Sequence, residues 1–315
     1  MNESLAQWKD LKHRTIRFNY ENIGLAVTPV RSESNLAISL YSQTEGLMAI
    51  ADSKYPSTSV LLRLGKGSIY ALAYSPNGNF LATGGKDCFV RLIDVASARE
   101  IRNQKAHWNF FVDAVAFSAD SNFLFFGVGN NEVRIWDVKS WKEINKIKVS
   151  TGVVLTLTVS PDGKLIAVAG GNGIIRLIDT KTGNEKGELQ GHTYPLVGIR
   201  TGVRRVVFSP DGNFLASAGS DKTVRLWDVA KHREIGIMHH EGGVWGVDFS
   251  PDGKLLVSGS DDKTARIWDI STSQQIGGMK FGKEITGTCF VDDTNICATC
   301  KDNFTYLIFP SNNNQ

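Results

Sequence analysis

The sequence has 315 residues, of which 42% are apolar and 21% are charged, proportions that are typical of a globular protein and exclude a disordered chain. The formal net charge is only +3 and Lys and Arg form no cluster, so we expect neither nucleic acid nor a membrane as a partner. No stretch approaches the ~18 apolar residues of a membrane span, and the N-terminus lacks the apolar run of a signal peptide, which favours a cytoplasmic protein.

The chain begins with an arm, residues 1–14, that precedes any repeated pattern. Leu5, Trp8 and Leu11 are spaced as on one face of a helix, so the arm is predicted to be a short amphipathic helix. The next residues, Thr15 to Asn19 (TIRFN), alternate between polar and apolar side chains, which is typical of a strand.

One phrase then recurs along the chain with a period of about forty residues. The clearest copies are FSPDGNFLASAGSDKTVRLWD from Phe208 and FSPDGKLLVSGSDDKTARIWD from Phe249. Weaker copies begin at Val27, Tyr74, Phe117, Val159 and Phe290. Each copy has room for four short strands separated by turns. Seven such copies predict an all-β, seven-bladed propeller.

The two chain ends indicate how the ring closes. The last copy stops after its third strand, Phe304 to Pro310, and lacks a fourth. Thr15 to Asn19 can supply that strand, which would remove the exposed sheet edges. We therefore predict one propeller domain over residues 15–310, closed by the N-terminal strand, with a disordered tail over residues 311–315.

These copies resemble the WD-repeat (beta-transducin-like) family, whose signature is a Gly-His before the inner strand, an Asp in a tight turn and a closing Trp-Asp. The resemblance covers residues ~15 to 310. It implies a rigid, non-catalytic scaffold on which other proteins or peptides assemble, with no cofactor, and a monomer when alone. The alternatives are a propeller that binds a peptide or small ligand in its central channel, and a catalytic propeller.

The family also implies an internal hydrogen-bond chain from His to Asp and Ser, and on to Trp. The matching residues are His240, Asp262, Ser258 and Trp268 in blade 6 and His192, Asp221, Ser217 and Trp227 in blade 5. Seven extra residues separate His192 from its strand, so the second match is less direct. The sets look like Ser-His-Asp triads, but their repetition beside an indole favours a structural role over an active site. Blade 3 has Phe126 and Asn130 where Ser and Asp would stand, so looser bonding is expected there.

In this family the loops between blades and the turns after each second strand share one face around the channel. The residues at these positions are Tyr70, Lys86, Phe111, Asp113, Leu155, Arg204, Ser220, Trp245, Asp261, Thr286 and Lys301. They are predicted to bind partners, because aromatic residues around an Arg are typical of binding hot spots. The alternative is that Trp245 and Tyr70 only pack between blades. An apolar insertion, Tyr194-Pro195-Leu196-Val197, either plugs the channel or contacts a partner.

The four cysteines are expected to be reduced in a cytoplasmic protein. Cys297 and Cys300 have the spacing of half a zinc site, and Cys289 on the preceding strand is a third candidate donor. The two thiols would point to opposite faces if their strand continued through both. Small apolar side chains that fill the core are the favoured interpretation, and no metal is predicted.

Overall fold

The computed structural model describes residues 11–17, 27–29, 35–40, 47–52, 60–193, 201–301 and 304–310. Within these residues the elements are β-strands, arranged as seven four-stranded antiparallel sheets. The predicted all-β, seven-bladed propeller is therefore confirmed. Among the described residues, no helix is long and apolar enough to cross a bilayer.

The strands follow one another blade by blade. The chain starts with β1 (Leu11–Arg17), and blade 1 consists of β2 (Val27–Pro29), β3 (Asn35–Leu40), β4 (Leu47–Asp52) and β5 (Val60–Arg63). Blade 2 consists of β6 (Ile69–Tyr74), β7 (Phe80–Gly85), β8 (Phe89–Asp94) and β9 (Arg99–Lys105). Blade 3 consists of β10 (Val112–Phe117), β11 (Phe123–Val128), β12 (Glu132–Asp137) and β13 (Lys142–Lys148).

The later blades repeat this arrangement. Blade 4 consists of β14 (Val154–Val159), β15 (Leu165–Gly170), β16 (Ile175–Asp179) and β17 (Glu185–Leu189). Blade 5 consists of β18 (Val203–Phe208), β19 (Phe214–Gly219), β20 (Thr223–Asp228) and β21 (Arg233–His239). Blade 6 consists of β22 (Val244–Phe249), β23 (Leu255–Ser260), β24 (Thr264–Asp269) and β25 (Gln274–Lys280). Blade 7 consists of β26 (Ile285–Phe290), β27 (Ile296–Cys300), β28 (Phe304–Pro310) and β1.

In blades 2 to 7 the turn after the inner strand is built by side-chain hydrogen bonds. In blade 4 the Ser160 hydroxyl donates to Asp162 (2.7 Å) and accepts from the backbone N–H of Leu165 (2.9 Å). Gly163 closes the turn at a φ of 72°, a conformation that side chains rarely adopt. The hydrogen bond from Ser160, followed by that from the Lys164 backbone, lowers the pKa of Asp162 to about 2. The turn is therefore held by a carboxylate at neutral pH.

The hydrophobic core forms layers between neighbouring sheets. Between blades 4 and 5, Ala167 and Leu177 pack in one cluster with Val206, Phe208 and Trp227, and all five are nearly fully buried. Further layers of the same kind lie between other blades. Strands with apolar side chains on both faces are stable in this setting because each sheet is covered on both sides.

The ring is closed by β1, as the sequence predicts, but with different bounds. β1 pairs with β28 from Leu11 opposite Pro310 to Arg17 opposite Phe304, and β2 contacts both β6 and β26. The predicted boundary after residue 14 is therefore wrong, since Leu11 is in the strand. The reason is tertiary: β1 pairs along the whole length of β28, and the His13 ring packs on Tyr306 with centroids 5.3 Å apart. The rest of the arm, the end of the predicted strand after Arg17, and the tail lie outside the described residues.

Because successive strands of a blade are antiparallel, two kinds of connection lie at the same end of every sheet. They are the turn between the second and third strands and the loop that leads from the outer strand to the next blade. We call this side of the ring the upper face. It carries the residues that the sequence singles out for partner binding.

Candidate functional site

The hydrogen-bond set of blade 6 joins the loop before β22 to the turn before β24. His240 Nδ1 lies 2.9 Å from Asp262 Oδ2, and its Nε2 lies 2.7 Å from Ser258 Oγ. Trp268 Nε1 donates to the same Ser258 Oγ (2.7 Å). Burial lowers the pKa of His240, although Asp262 opposes the shift. The ring is therefore neutral at pH 7, so Nδ1 donates to Asp262 and Nε2 accepts from the Ser258 hydroxyl.

The acid of this set stays ionised. Burial acts to raise the pKa of Asp262, but hydrogen bonds from the Thr264 hydroxyl, the Glu241 backbone N–H and His240 outweigh it and lower the pKa to about 2. A carboxylate that receives several donors at once fixes the loop and the turn to each other.

Blade 5 contains the same set. His192 Nδ1 lies 3.0 Å from Asp221, His192 Nε2 lies 2.7 Å from Ser217 Oγ, and Trp227 Nε1 donates to that oxygen at 2.8 Å. Burial acts to raise the pKa of Asp221, but hydrogen bonds led by that of His192 lower it to about 2. The extra residues after His192 therefore leave the set intact.

These sets do not have the geometry of a hydrolase site. Ser217 and Ser258 are both 0% exposed, whereas a serine nucleophile must be reached by its substrate. Each hydroxyl also accepts a hydrogen bond from an indole N–H, which would oppose attack on a carbonyl. Each hydroxyl instead links the His and the Trp of its own blade.

Blades 2 and 3 lack this bonding. In blade 3 the His107 ring accepts from the backbone N–H of Asn109 (3.1 Å) instead, and the buried Trp136 Nε1 has no hydrogen-bond partner among the described residues. Phe126 packs edge-on against the Trp136 ring at 5.1 Å. In blade 2 the buried Thr83 hydroxyl is likewise without a partner in the described part of the chain.

Four of the predicted partner-binding residues meet at the channel mouth on the upper face. The Arg204 guanidinium lies 3.5 Å from the centre of the Trp245 ring, and Trp245 Nε1 donates to Asp261 (2.7 Å). Arg204 and Lys301 lie 3.6 and 3.7 Å from the Asp261 carboxylate. We call these residues the channel-mouth cluster; it spans blades 5, 6 and 7.

The side chains of the channel-mouth cluster are partly packed against their neighbours and partly exposed to solvent. Trp245 is half-buried, as expected if it packs between blades. It also lines the channel mouth together with Arg204. Burial lowers the pKa of Arg204, and Asp261 opposes that shift. Nε and Nη1 of Arg204 are buried without a hydrogen bond within the described residues.

The other predicted residues are placed as follows. Tyr70 packs edge-on against Phe111 with ring centres 5.8 Å apart, and both Asp113 and Leu155 line the channel mouth. Lys86 is exposed in the turn of blade 2. Ser220 Oγ accepts from the Gly202 backbone N–H (2.8 Å) and so serves the loop itself.

One predicted partner-binding residue is misplaced. Thr286 is only 2% exposed, and its hydroxyl lies 3.0 Å from that of Thr299 on the neighbouring strand. Its assignment to the partner-binding set is therefore wrong, because the side chain is used inside blade 7. The insertion Tyr194-Pro195-Leu196-Val197 lies outside the described residues.

Sequence reasoning missed three exposed apolar residues on the upper face. Trp108 is 79% exposed, Val153 43% and Phe110 41%. The signal in the sequence was the run Trp108-Asn109-Phe110-Phe111, which places three aromatic residues in a loop, outside the alternation of the strands.

The cysteines of blade 7 are core residues. Cys289 and Cys297 are register partners across β26 and β27, and β27 continues through Cys300. Cys297 and Cys300 therefore point to opposite faces of the strand. Burial, with a further effect of Cys297, raises the pKa of the Cys289 thiol well above its usual range. In the described ranges no group of three or more His, Cys, Asp or Glu residues is placed to hold a metal ion.

Comparison with known families gives a match over the central blades. The family described as WD domain, G-beta repeat matches residues 59–94, 98–137, 141–179, 183–228 and 233–269, together more than half of the chain. The matched segments cover the copies of blades 2 to 6, and the weaker copies of blades 1 and 7 lie outside them. No curated protein matches the chain significantly.

Proposed function

Since the chain belongs to the WD domain, G-beta repeat family, we propose that it is a non-catalytic scaffold whose upper face binds other proteins or peptides. Repeats of this family generally mediate protein–protein interaction. The observation that supports this proposal most is that the upper face gathers large aromatic side chains with Arg204 around the channel mouth. Such a combination is typical of binding hot spots.

The alternatives have less support. The two triad-like sets are buried and bonded within the blades. The cavity at the channel mouth has a volume of about 60 Å³, which suits a few water molecules better than a metabolite. The proposal also includes a cytoplasmic location, in which the cysteines stay reduced, and a monomeric state of the isolated protein.

The proposal is tested by affinity capture with the full chain, followed by mass spectrometry. The variant Arg204→Ala/Trp245→Ala removes the stacked pair, and the matched control Lys164→Ala/Lys254→Ala removes two exposed lysines of the opposite face. We expect the first variant to lose partners that the wild type and the control retain. Thermal unfolding of the three proteins separates lost contacts from lost folding.

Two results would overturn the proposal. One is the recovery of the same partners at the same yield with both variants. The other is a wild-type preparation that brings down no other protein but retains a small molecule.

A further inference from the structure

An equivalent backbone contact recurs in each blade from 2 to 7. The residue just before the inner strand accepts, through its carbonyl, a hydrogen bond from the turn after the second strand. The accepting residues are Ser68, Phe111, Val153, Gly202, Gly243 and Glu284, with N–O distances of 2.9 to 3.3 Å. Gly is the accepting residue in two of these blades, so the contact requires no side chain at this position.

Blades 3 and 4 nevertheless carry large apolar side chains at this position. Phe111 is 37% and Val153 43% exposed, whereas the other blades have Ser, Gly or Glu there. The loop before Phe111 adds Phe110 and the largely exposed Trp108. We call Trp108, Phe110, Phe111 and Val153 the apolar patch. These four residues lie in the loops that precede two neighbouring blades, and grouped exposed apolar side chains mark interaction sites more often than single ones do.

The loop that carries the apolar patch is held in place. The His107 ring accepts from the backbone N–H of both Asn109 (3.1 Å) and Phe110 (3.3 Å), and its centre lies 4.7 Å from that of the Phe110 ring. Phe110 also lies directly over Gly129, where an added Cβ would be 3.2 Å from the ring. A preformed loop loses less conformational freedom when a partner binds.

The surroundings of the apolar patch are basic. Lys105 Nζ lies 4.5 Å from the centre of the Trp108 ring. Lys66, Lys86 and Lys148 are exposed on the same sector of the upper face, and none of these four lysines forms an ion pair within the described residues.

Two acids of this sector form their ion pairs with arginines. Asp87 is paired with Arg91, and Glu132 with Arg134. Asp113 lines the channel mouth. The sector therefore presents unpaired positive charge around an apolar centre, and the complementary partner carries negative charge.

We propose that the apolar patch binds an acidic protein segment with large apolar side chains, whose carboxylates face Lys66, Lys86, Lys105 and Lys148. This inference rests on the proposed scaffold function and names its partner class. The apolar side chains of the segment contact Trp108 and Phe110, because these rings supply most of the exposed apolar surface.

The test uses the full chain and a short fluorescein-labelled peptide in which Glu and Asp alternate with Phe and Leu. One matched peptide has Lys in place of the acids, and another has Ser in place of Phe and Leu. Fluorescence anisotropy should show saturable binding of the first peptide that weakens as salt is added. Both matched peptides should bind at least about tenfold more weakly.

Variants locate the binding surface. Trp108→Ser/Phe110→Ser should weaken binding about tenfold or more. Its control, Ile144→Ser/Ile235→Ser, changes two comparably exposed residues on outer strands and should leave binding unchanged. Trp108→Ser alone serves as a second variant, since so exposed a side chain contributes little to folding. Lys105→Glu/Lys148→Glu should also weaken binding, whereas Lys142→Glu/Lys181→Glu on the opposite face should not.

The proposal is overturned if no saturable binding occurs at millimolar peptide, if the Lys peptide binds as well as the acidic one, or if the patch variants bind like the wild type. These results differ from a failure of the scaffold function. If affinity capture depends on the channel-mouth cluster but Trp108→Ser/Phe110→Ser retains every partner, the scaffold function stands and the apolar patch does not serve it.

Discussion

Blades 5 and 6 differ from blades 2 and 3 in how the upper loops are bonded to the sheets. In blades 5 and 6 a buried His connects its loop to the Asp of the turn and to a Ser in the second strand. In blade 3 the equivalent His107 bonds only to its own loop. All four blades have four strands, so the hydrogen-bond set is not required to form a blade.

The difference affects what the loops present to a partner. The loop of blade 6 is short and is held by Asp262, and it exposes no large apolar side chain. The loop of blade 3 has no His–Asp bond to its turn, and it exposes Trp108 and Phe110. We therefore infer that the complete sets stabilise blades 5 and 6, whereas the upper loop of blade 3, which has no such set, directs its aromatic side chains to solvent.

The largest effect is expected for Ser258→Ala. Its hydroxyl is the common partner of His240 Nε2 and Trp268 Nε1, so the variant leaves two buried polar groups without a partner. At ~1–3 kcal/mol for each of the two groups, the free energy of unfolding should fall by about 2–6 kcal/mol. Urea unfolding measures the loss. The exposed Ser271→Ala in the same blade is the control, and a loss equal to that of the control would show that the set does not stabilise blade 6.

Two Trp variants compare blade 6, which has the complete hydrogen-bond set, with blade 3, which lacks it. Trp268→Phe removes the indole N–H that bonds Ser258 and should cost about 1–3 kcal/mol. Trp136→Phe removes an N–H that has no hydrogen-bond partner in the described structure. Removing a buried, unbonded N–H is favourable and offsets part of the packing that the smaller ring loses. The net loss in the free energy of unfolding should therefore be below about 1 kcal/mol. Thermal unfolding of both variants measures the gap, and equal losses would contradict the contrast between the blades.

Acid should remove the stability that the ionised Asp262 gives to blade 6. The folded-state pKa of Asp262 is about 2, below the unbonded value of 3.8. A depressed carboxyl pKa stabilises the fold above the unfolded value, and this stability is lost as pH falls from about 4 to about 2. Asp262→Asn should therefore be less stable than the wild type at pH 7, and the difference should shrink in that window. Urea midpoints across pH test this, and a difference that does not change with pH would contradict it.

Much of the fold could be predicted from the sequence because a blade is a local unit. Its turns and strand alternation repeat within about forty residues, so even the weak copy at Phe290 can be recognised. The start of β1 could not be predicted, because it depends on the register in which β1 pairs with β28, at the other end of the chain. Local alternation alone placed the strand too late.

The candidate site could be predicted only in part. The inner-strand positions indicated Arg204 and Trp245 one by one, but their stacking joins two blades and no spacing in the sequence encodes it. Thr286 holds an equivalent position and is buried by its bond to Thr299. Position in the repeat gives the face of the ring, and contacts within and between blades decide which side chains remain exposed.

The smallest effect is expected for Thr83→Val in blade 2. Thr83 occupies the position of Ser258, but no His or Trp bonds its hydroxyl, which is buried and has no partner within the described ranges. Val keeps the branched shape that suits a strand and removes the buried polar atom. The free energy of unfolding should stay the same or rise by up to ~1 kcal/mol, as measured by urea unfolding. A loss of more than that would mean that the Thr83 hydroxyl is bonded in solution.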